Sequence, residues 1–146
     1  MTGIAFKRLH PDARLPARAH DDDAGFDLHA VEHAVLPPGG RAAVGCGFAL
    51  ALPPTMAALV VPRSGLALRE GLTVANAPGL IDAGYRGEIK AILVNLDPTE
   101  TRSVAPGDRI AQLVLVELPA VAFEEVDELP ASERGSGGFG STGRGL

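Results

Sequence analysis

The chain has 146 residues, of which 46% are hydrophobic and 21% charged, and these values suit one globular domain with a substantial core. The net charge of −5 argues against the basic surface of a general nucleic-acid binder. No apolar run approaches the roughly 18 residues of a membrane span, and the N-terminus lacks the apolar stretch of a signal peptide. We therefore expect a cytoplasmic protein that binds neither nucleic acid nor membranes.

Short apolar stretches separated by Pro, Gly and Asp recur along the chain. In order they are IAFKRL (4–9), FDLHAV (26–31), RAAVGCGFALAL (41–52), MAALVVP (56–62), EIKAILVNL (88–96), RIAQLVLVEL (109–118) and VAFEEV (121–126). This spacing predicts an antiparallel all-β domain, a barrel or a jelly roll, rather than βαβ units. The segment SGLALRE (64–70) predicts one short helix after Pro62.

Three stretches that suggest a ligand are incomplete. In DDDAGFDLHAVE (21–32), Phe26 occupies the position at which a calcium loop needs its glycine. His29 and His33 have zinc-ligand spacing for a helix, but the surrounding pattern is that of a strand or turn and no third ligand is near. GSGGFG (135–140) matches a dinucleotide-binding string, but no strand-and-helix context surrounds it. The single Cys46 cannot form an internal disulfide, and we expect it to be a small buried side chain in a reducing compartment.

The segment VPRSGLAL (61–68) allows two interpretations. Arg63, Ser64 and Gly65 follow an apolar strand and enter the predicted helix, where backbone N–H groups can bind an anion such as phosphate. A capped helix with a solvent-exposed arginine fits the same residues equally well.

The segment NAPGLIDAGYRGEIKAILVN (76–95) predicts a hairpin. Asn76 offers the donor and acceptor that can read the edge of a base. Asp82 lies in a turn beside Tyr85 and Arg86. The carboxylate of Asp82 is either exposed at a pocket or satisfied within an Asx-turn.

The C-terminal stretch RGSGGFGSTGRGL (134–146) is too rich in glycine for a regular element. It is either a linker or a flap that closes over a ligand. We expect a β-rich core over residues 1–128 and a flexible glycine-rich tail over residues 129–146.

Five motifs occur in one order and together cover most of the chain. They are AGFDLHA (24–30), PRSGLA (62–67), NAPGLIDAGYRGEI (76–89), DRIAQL (108–113) and RGSGGFGSTG (134–143). In this order they resemble the motifs of the trimeric deoxyuridine triphosphatases. The resemblance implies a jelly roll of the β-clip type, with a distorted barrel, one short helix and a flexible C-terminal tail. It also implies a homotrimer with shared active sites that hydrolyses dUTP to dUMP and pyrophosphate with Mg²⁺, which keeps uracil out of DNA and supplies dUMP for dTMP synthesis.

The resemblance also implies a role for each motif. Asp82 would be the general base that activates water for attack on the α-phosphorus. The hairpin around Asn76 and residues 80–90 would form the uracil and deoxyribose pocket, and Tyr85 would pack under the sugar and exclude ribonucleotides. Because cytosine exchanges donor and acceptor on its pairing edge, the backbone of the hairpin would accept uracil and refuse cytosine. Asp27 would hold a water bound to Mg²⁺, whose direct ligands are phosphates and water.

The tail would supply the remaining contacts, with Phe139 stacked on the uracil and Arg134 at the β- and γ-phosphates. The catalytic residues implied in this way are Asp82, Gln112 and Arg134. The implied substrate-binding residues are Arg63, Ser64, Gly65, Asn76, Gly79, Leu80, Ile81, Asp82, Tyr85, Lys90, Gln112, Arg134, Phe139, Gly140, Ser141 and Thr142.

Two alternatives share this fold. A dCTP deaminase would need a glutamate on the strand after the hairpin turn, and the segment IKAILVN (89–95) contains no carboxylate. A non-catalytic nucleotide-binding protein would be expected to lose the base or the flap, and both Asp82 and the tail are present.

Overall fold

The computed structural model describes residues 1–145, which contain eleven β-strands and one short helix. The strands are β1 (Ala5–Arg8), β2 (Phe26–His29), β3 (Ala34–Leu36), β4 (Arg41–Gly45), β5 (Phe48–Ala51), β6 (Met56–Val61), β7 (Leu72–Val74), β8 (Gly79–Ile81), β9 (Lys90–Asn95), β10 (Arg102–Val104) and β11 (Arg109–Glu117), and the helix is α1 (Ser64–Glu70). The predicted all-β class with one short helix is confirmed. Within the described residues, no helix is long and apolar enough to cross a membrane.

All of the strands pair in an antiparallel manner. Strands β2, β11, β6 and β8 form a four-stranded sheet in that order, and β4, β9 and β7 form a three-stranded sheet. The pairs β1–β5 and β3–β10 complete the structure. In strand β9, side chains alternate between the two faces of the sheet. Ala91 and Leu93 are buried on one face, whereas Lys90 and Ile92 are exposed on the other.

The core lies between these sheets. The largest fully buried side chains are those of Phe48, Leu28, Leu36, Ile89, Leu93, Val44, Asn95 and Cys46. Complete burial of a leucine or phenylalanine side chain contributes about 1.5–3 kcal/mol to stability. The core therefore includes residues from β2, β3, β4, β5 and β9, and holds the separate sheets together.

The helix α1 begins and ends where the backbone geometry allows. Arg63 at its N-cap is extended, with φ −96° and ψ 125°. Gly71 at its C-cap is left-handed, with φ 69°, and its N–H donates to the carbonyl of Ala67. A Cβ on Gly71 would lie 2.8 Å from the backbone nitrogen of Asp97, so the close approach also requires glycine.

A bulge at residues 45–47 separates β4 from β5. Gly47 has φ 75°, and the N–H of Cys46 between the two glycines donates to the carbonyl of Ile89 (3.0 Å). Burial, together with the nearby carboxylates of Glu88 and Glu32, raises the pKa of the Cys46 thiol to about 12. The thiol is therefore protonated at neutral pH and packs as a small apolar side chain.

Two expectations are wrong, one about the pairing of two strands and one about the existence of a strand. The strands β8 and β9 do not pair with each other, because β8 pairs with β6 while β9 lies between β4 and β7. The predicted hairpin is therefore a connection between two sheets. The apolar stretch at 121–126 is not a strand but exposed irregular chain, and every residue from 117 to 136 is exposed.

Asn95 is fully buried and its side chain satisfies three backbone groups. Its amide nitrogen donates to the carbonyls of Leu36 (2.9 Å) and Glu100 (2.8 Å), and its amide oxygen accepts the N–H of Asp97 (2.8 Å). These bonds connect the end of β9 with β3 and with the loop that leads to β10.

We expect Asn95→Ala to lower the free energy of unfolding by about 2–4 kcal/mol, because the substitution leaves buried backbone groups without partners. Urea denaturation measures the change. The control is Thr101→Ala at an exposed position, which should change stability by less than about 0.5 kcal/mol. Equal stabilities of the two variants would contradict the role assigned to Asn95.

Candidate active site

A pocket of about 270 Å³ lies beside β8, between the four-stranded and three-stranded sheets. Seven of the predicted substrate-binding residues line it: Asn76, Gly79, Leu80, Ile81, Asp82, Tyr85 and Lys90. The remaining lining residues are Ala43, Val60, Glu88, Ile89 and Ile92. One concave site therefore brings together the whole segment that the sequence singled out as a base pocket, which we call the pocket segment (76–90).

The wall of the pocket is the edge strand β8. This strand pairs with β6 on one side only, so N–H and C=O groups on its other edge are free to meet a ligand. Gly79 and Ile81 are buried, whereas Leu80 is exposed. A Cβ on Gly79 would lie 3.3 Å from the amide nitrogen of Asn76, so glycine leaves the Asn76 side chain its room beside the strand.

Asp82 follows β8 directly and is exposed at the pocket. The N–H of Tyr85 donates to the main-chain carbonyl of Asp82 (3.1 Å), so the backbone closes this turn and the carboxylate does not. Between the two interpretations of Asp82, this geometry favours a carboxylate that is presented to a ligand.

Tyr85 is held by the turn that follows. Its hydroxyl donates to the carbonyl of Glu88 (3.0 Å). A Cβ on Gly87 would overlap this hydroxyl, so the bond requires glycine there. The guanidinium of Arg86 donates to the carbonyls of Ala83 (2.6 Å) and Tyr85 (3.0 Å) and further stiffens the turn. The aromatic ring is thus fixed in the pocket wall.

A second group of polar side chains lies where β6, β11 and β2 run side by side. Gln112 is opposite Val61 on one side and Asp27 on the other. A Cβ on Gly25 would approach the Gln112 side chain to 3.2 Å, so glycine leaves space for that side chain. Arg63 follows directly after β6 and Pro62. We call Asp27, Arg63, Arg109 and Gln112 the polar cluster, of which Arg63 and Gln112 are predicted to bind the substrate.

Arg109 contacts two other residues of the polar cluster. Its carbonyl accepts a hydrogen bond from the Arg63 guanidinium (3.2 Å), and its own guanidinium lies 3.6 Å from the Asp27 carboxylate. Arg109 therefore forms an ion pair with Asp27 at the edge of the sheet. Asp27 is only 15% exposed and Arg109 is 50% exposed, so the guanidinium of Arg109 remains accessible to a ligand.

The polar cluster carries two guanidinium groups although the chain as a whole is acidic. Burial, followed by the charge of Arg14, holds the pKa of His29 below its ordinary value, with opposition from Asp27 and smaller lowering by Arg109 and Arg63. The two arginines of the cluster are suited to a phosphate ligand.

The polar cluster does not form a direct metal site in the described part of the chain. Among residues 1–145, no three His, Cys, Asp or Glu side chains are grouped to hold a metal ion. In the acidic run at 21–23, Asp23 accepts the N–H of His20 (2.9 Å), and this bond lowers the pKa of Asp23. The Asp27 carboxylate is the one acidic group of the cluster, and it can accept a hydrogen bond from a water molecule.

The pocket and the polar cluster lie apart within one chain. Ile81 is opposite Ala58 on β6 whereas Gln112 is opposite Val61, and β8 and β11 lie on opposite sides of β6. At about 3.3 Å per residue along a strand and about 4.8 Å between strands, Asp82 and Gln112 are roughly 15 Å apart. A single α-phosphate cannot contact both residues of the same chain.

The predicted tail residues are not at either place. Arg134 donates to the carbonyl of Gly137 (2.6 Å), and Phe139 is fully exposed with φ 50°. Gly140, Ser141 and Thr142 are also exposed. None of the five lines the pocket in the described part of the chain. Leu146 lies outside the described residues.

The sequence interpretation did not assign a role to Glu88, although its side chain lines the pocket beside Lys90. An acidic residue at the entry of the apolar stretch 88–96 was the available signal. No local pattern indicates what its carboxylate contacts, because the partner is distant in sequence.

Comparisons with known proteins agree on one family. The sequence model of the dUTPase family matches residues 12–143. The deoxyuridine 5'-triphosphate nucleotidohydrolase of Thermobifida fusca is 58% identical over 140 residues, which cover 96% of this chain and 78% of that protein. The corresponding protein of Corynebacterium glutamicum is 55% identical over 144 residues, with 99% and 97% coverage.

Solved structures show the same similarity. A dUTPase of Staphylococcus bacteriophage 80alpha with dUPNHPP has a TM-score of 0.90 and 30% identity, covering 99% of this chain and all of that chain. A D95N mutant dUTPase of phage phi11 of S. aureus, which is described as coordinating a structural Mg(II) ion, has a TM-score of 0.80, 26% identity, and coverage of 89% and 100%. These similarities confirm the predicted jelly roll. Because the family model matches residues 12–143 and both relatives are at least 55% identical over at least 78% of their own length, the chain belongs to the dUTPase family.

Proposed function

We propose that this chain hydrolyses dUTP to dUMP and pyrophosphate, with Asp82 as the general base. The observation that carries the proposal is the pocket itself, which places Asn76, the free edge of β8 and the exposed Asp82 around one cavity. That arrangement offers a base-reading edge and a carboxylate within a single concave site.

The edge of β8 is suited to reading uracil. Its backbone offers donors and acceptors in a fixed order. The side-chain amide of Asn76 adds an N–H donor and a carbonyl acceptor. Cytosine presents the opposite order on its pairing edge, and a mismatch would leave polar groups unpaired in the pocket. For thymine to be refused as well, its methyl group must meet the wall of the pocket.

Tyr85 gives the pocket its preference for deoxyribose. Its ring lies in the wall and its hydroxyl is already bonded to Glu88. A sugar packed against this fixed ring has no space for a 2′-hydroxyl. The same site therefore selects both the base and the sugar.

The triphosphate binds Arg63 and Gln112 of the polar cluster, together with Ser64 and Gly65 at the start of α1. Guanidinium groups form strong, charge-assisted bonds to phosphate oxygens. Mg²⁺, when bound, supplies the positive charge that offsets the triphosphate. Asp27 would hold one of its water ligands, which suits a site where no cluster of protein carboxylates was found among residues 1–145.

In the reaction, the carboxylate of Asp82 accepts a proton from a water molecule as that water attacks the α-phosphorus. The new bond joins the water oxygen to phosphorus, and the bond to the bridging oxygen of the β-phosphate breaks, so pyrophosphate leaves. Gln112 and Arg134 stabilise the charge on the phosphate oxygens. Most of the acceleration comes from positioning and electrostatics.

The separation of roughly 15 Å between Asp82 and Gln112 supports a homotrimer with shared sites. The polar cluster comes from one subunit and the pocket from a second. The tail comes from a third, as residues 117–136 are exposed and leave the core. The reaction belongs in the cytoplasm, where dUMP serves dTMP synthesis and a free thiol such as Cys46 stays reduced.

Closure of the tail depends on the phosphates. Ordering a residue costs about 1–2 kcal/mol, so ordering about ten costs on the order of 10 kcal/mol. A stack of Phe139 on uracil returns only about 1–3 kcal/mol. Contacts of Arg134, Ser141 and Thr142 with the β- and γ-phosphates must supply the rest.

We expect Asp82→Asn to lower kcat for dUTP by a factor of about 10² to 10⁴ with a small change in KM, because the amide cannot accept the proton. Pyrophosphate release measures the rate. Asp22→Asn makes the same chemical change at an exposed position outside the site and should leave the rate unchanged. A fully active Asp82→Asn enzyme would refute the mechanism, and ammonia released from dCTP would favour the deaminase alternative.

We expect a mixture of inactive Asp82→Asn chains and inactive chains that end at residue 128 to regain activity. Mixed trimers contain some sites with an intact Asp82 and an intact tail from different subunits. The control mixes Asp82→Asn chains with chains that carry both changes, in which no intact Asp82 exists. A first mixture as inactive as the control would exclude shared sites.

We expect trypsin to cleave at Arg134 and Arg144 rapidly in the free enzyme and slowly with a non-hydrolysable dUTP analogue. The product dUMP should give little protection, because it lacks the β- and γ-phosphates that order the tail. Mass spectrometry of the fragments measures the rates. Equal protection by dUMP and by the triphosphate analogue would show that the phosphate contacts do not close the tail.

A further inference from the structure

Two carboxylates from different segments hold the bulge at residues 45–47. Glu32 accepts the N–H of Gly45 (2.7 Å), and Glu88 accepts the N–H of Gly47 (3.0 Å). A Cβ on Gly45 would overlap the Glu88 carboxylate, so this carboxylate lies directly over the bulge. Of the two, only Glu88 also lines the pocket.

The main chain of Glu88 is the hydrogen-bond acceptor for the tyrosine of the pocket. Its carbonyl accepts the Tyr85 hydroxyl (3.0 Å). One residue further on, Ile89 donates to the carbonyl of Phe48 (2.8 Å) and accepts from Cys46 (3.0 Å). Glu88 therefore stands between a segment that is firmly bonded to the core and the exposed turn that carries Tyr85.

On the side of Glu88, the turn that carries Tyr85 has little other support, whereas on the side of β8 the partly buried Ala83 packs against the core. Gly84, Tyr85 and Arg86 are exposed, and the bonds of Arg86 lie within the turn itself. The ion pair of Glu88 with Lys90 spans 3.8 Å between partly exposed groups and contributes little. The bond from Gly47 to the Glu88 carboxylate is thus the last connection to the core before the tyrosine.

We propose that Glu88 is a positioning residue that sets the sugar selectivity of the pocket through Tyr85. Its carboxylate, held by the N–H of Gly47, anchors the Cα of Glu88. The peptide unit that follows is held by the N–H of Ile89 and carries the carbonyl that accepts the Tyr85 hydroxyl. Together the two anchors restrain the turn that carries the ring against which deoxyribose packs. The proposal rests on the proposed function, in which Tyr85 excludes the 2′-hydroxyl, and it adds a pocket-lining residue that acts through Tyr85.

Substitutions can separate the hydrogen bond that the Glu88 side chain accepts from its negative charge. Glu88→Gln keeps an oxygen that can accept the N–H of Gly47 and should behave like the wild type. Glu88→Ala removes the acceptor and frees the turn, while the bonds of Ile89 keep the rest of the segment in place. Glu88→Asp withdraws the carboxylate by one methylene and should act in the same direction as alanine, which keeps the test available if the alanine variant does not fold.

The experiment compares kcat/KM for dUTP and UTP. We expect Glu88→Ala, or Glu88→Asp, to lower the dUTP-to-UTP ratio about tenfold, a change typical for loss of a hydrogen bond to a charged group. The change should lie mainly in KM, because Asp82 precedes the turn and keeps its place after β8. Glu32→Ala is the matched control, since it removes the other carboxylate of the same bulge and should leave the ratio unchanged.

A second measurement observes the ring directly. The chain contains one tyrosine and no tryptophan, so intrinsic fluorescence reports on Tyr85 alone. Quenching by acrylamide should increase in Glu88→Ala and Glu88→Asp, but not in Glu88→Gln or Glu32→Ala. This measurement needs no substrate.

The outcomes separate this proposal from the proposed function. An unchanged ratio and unchanged quenching in folded Glu88→Ala or Glu88→Asp would overturn the role of Glu88, as would an equal loss of selectivity in Glu32→Ala. A wild-type chain that fails to hydrolyse dUTP would refute the proposed function and with it the selectivity claim. The quenching series would still decide whether Glu88 fixes Tyr85.

Discussion

Strand β6 is hydrogen-bonded on both sides, to β11 and to β8, and this double pairing determines where the site residues of the core lie. Arg63 follows the end of β6, Gln112 lies across one flank, and Asp82 leaves the strand on the other flank. Ala57, Ala58 and Val60 of β6 are buried, so the strand cannot shift without disturbing the core. The spacing between the pocket and the polar cluster is therefore a fixed property of the sheet. In the proposed mechanism, a second subunit brings the two sets of residues together.

The electrostatics of the site differ from those of the whole chain. A net charge of −5 predicts poor attraction for a polyanion, yet Arg63 and Arg109 lie together, and the guanidinium of Arg63 donates to the backbone carbonyl of Arg109. Asp27 pairs with Arg109 and offsets part of this local positive charge. The local arrangement decides what binds, and the global charge sets only the background that an anionic ligand meets.

Local sequence signals were sufficient for some elements and not for others. The helix at 64–70 was predicted with the observed bounds, since Pro62 before it and Gly71 after it punctuate the backbone. The pairing partners of β8 and β9 could not be predicted, because nothing within residues 76–95 states that consecutive strands join different sheets. The stretch 121–126 has the composition of a strand but no partner in the described chain that would make it one. The bond from Gly47 to Glu88 joins positions 41 residues apart, and no local pattern can reveal such a contact.

The exposed stretch that begins after β11 determines how far the glycine-rich end can travel. Its last bond to the core joins the N–H of Leu118 to the carbonyl of Thr55 (2.8 Å). About 20 residues separate Leu118 from Phe139. With the flexibility that we propose for the tail, a tether of that length has a root-mean-square span of roughly 25 Å. Within such a radius a tethered group has an effective concentration in the millimolar range, with no dependence on how much protein is present. When the receiving pocket belongs to another subunit, dissociation on dilution removes this advantage. The specific activity then becomes a measure of assembly.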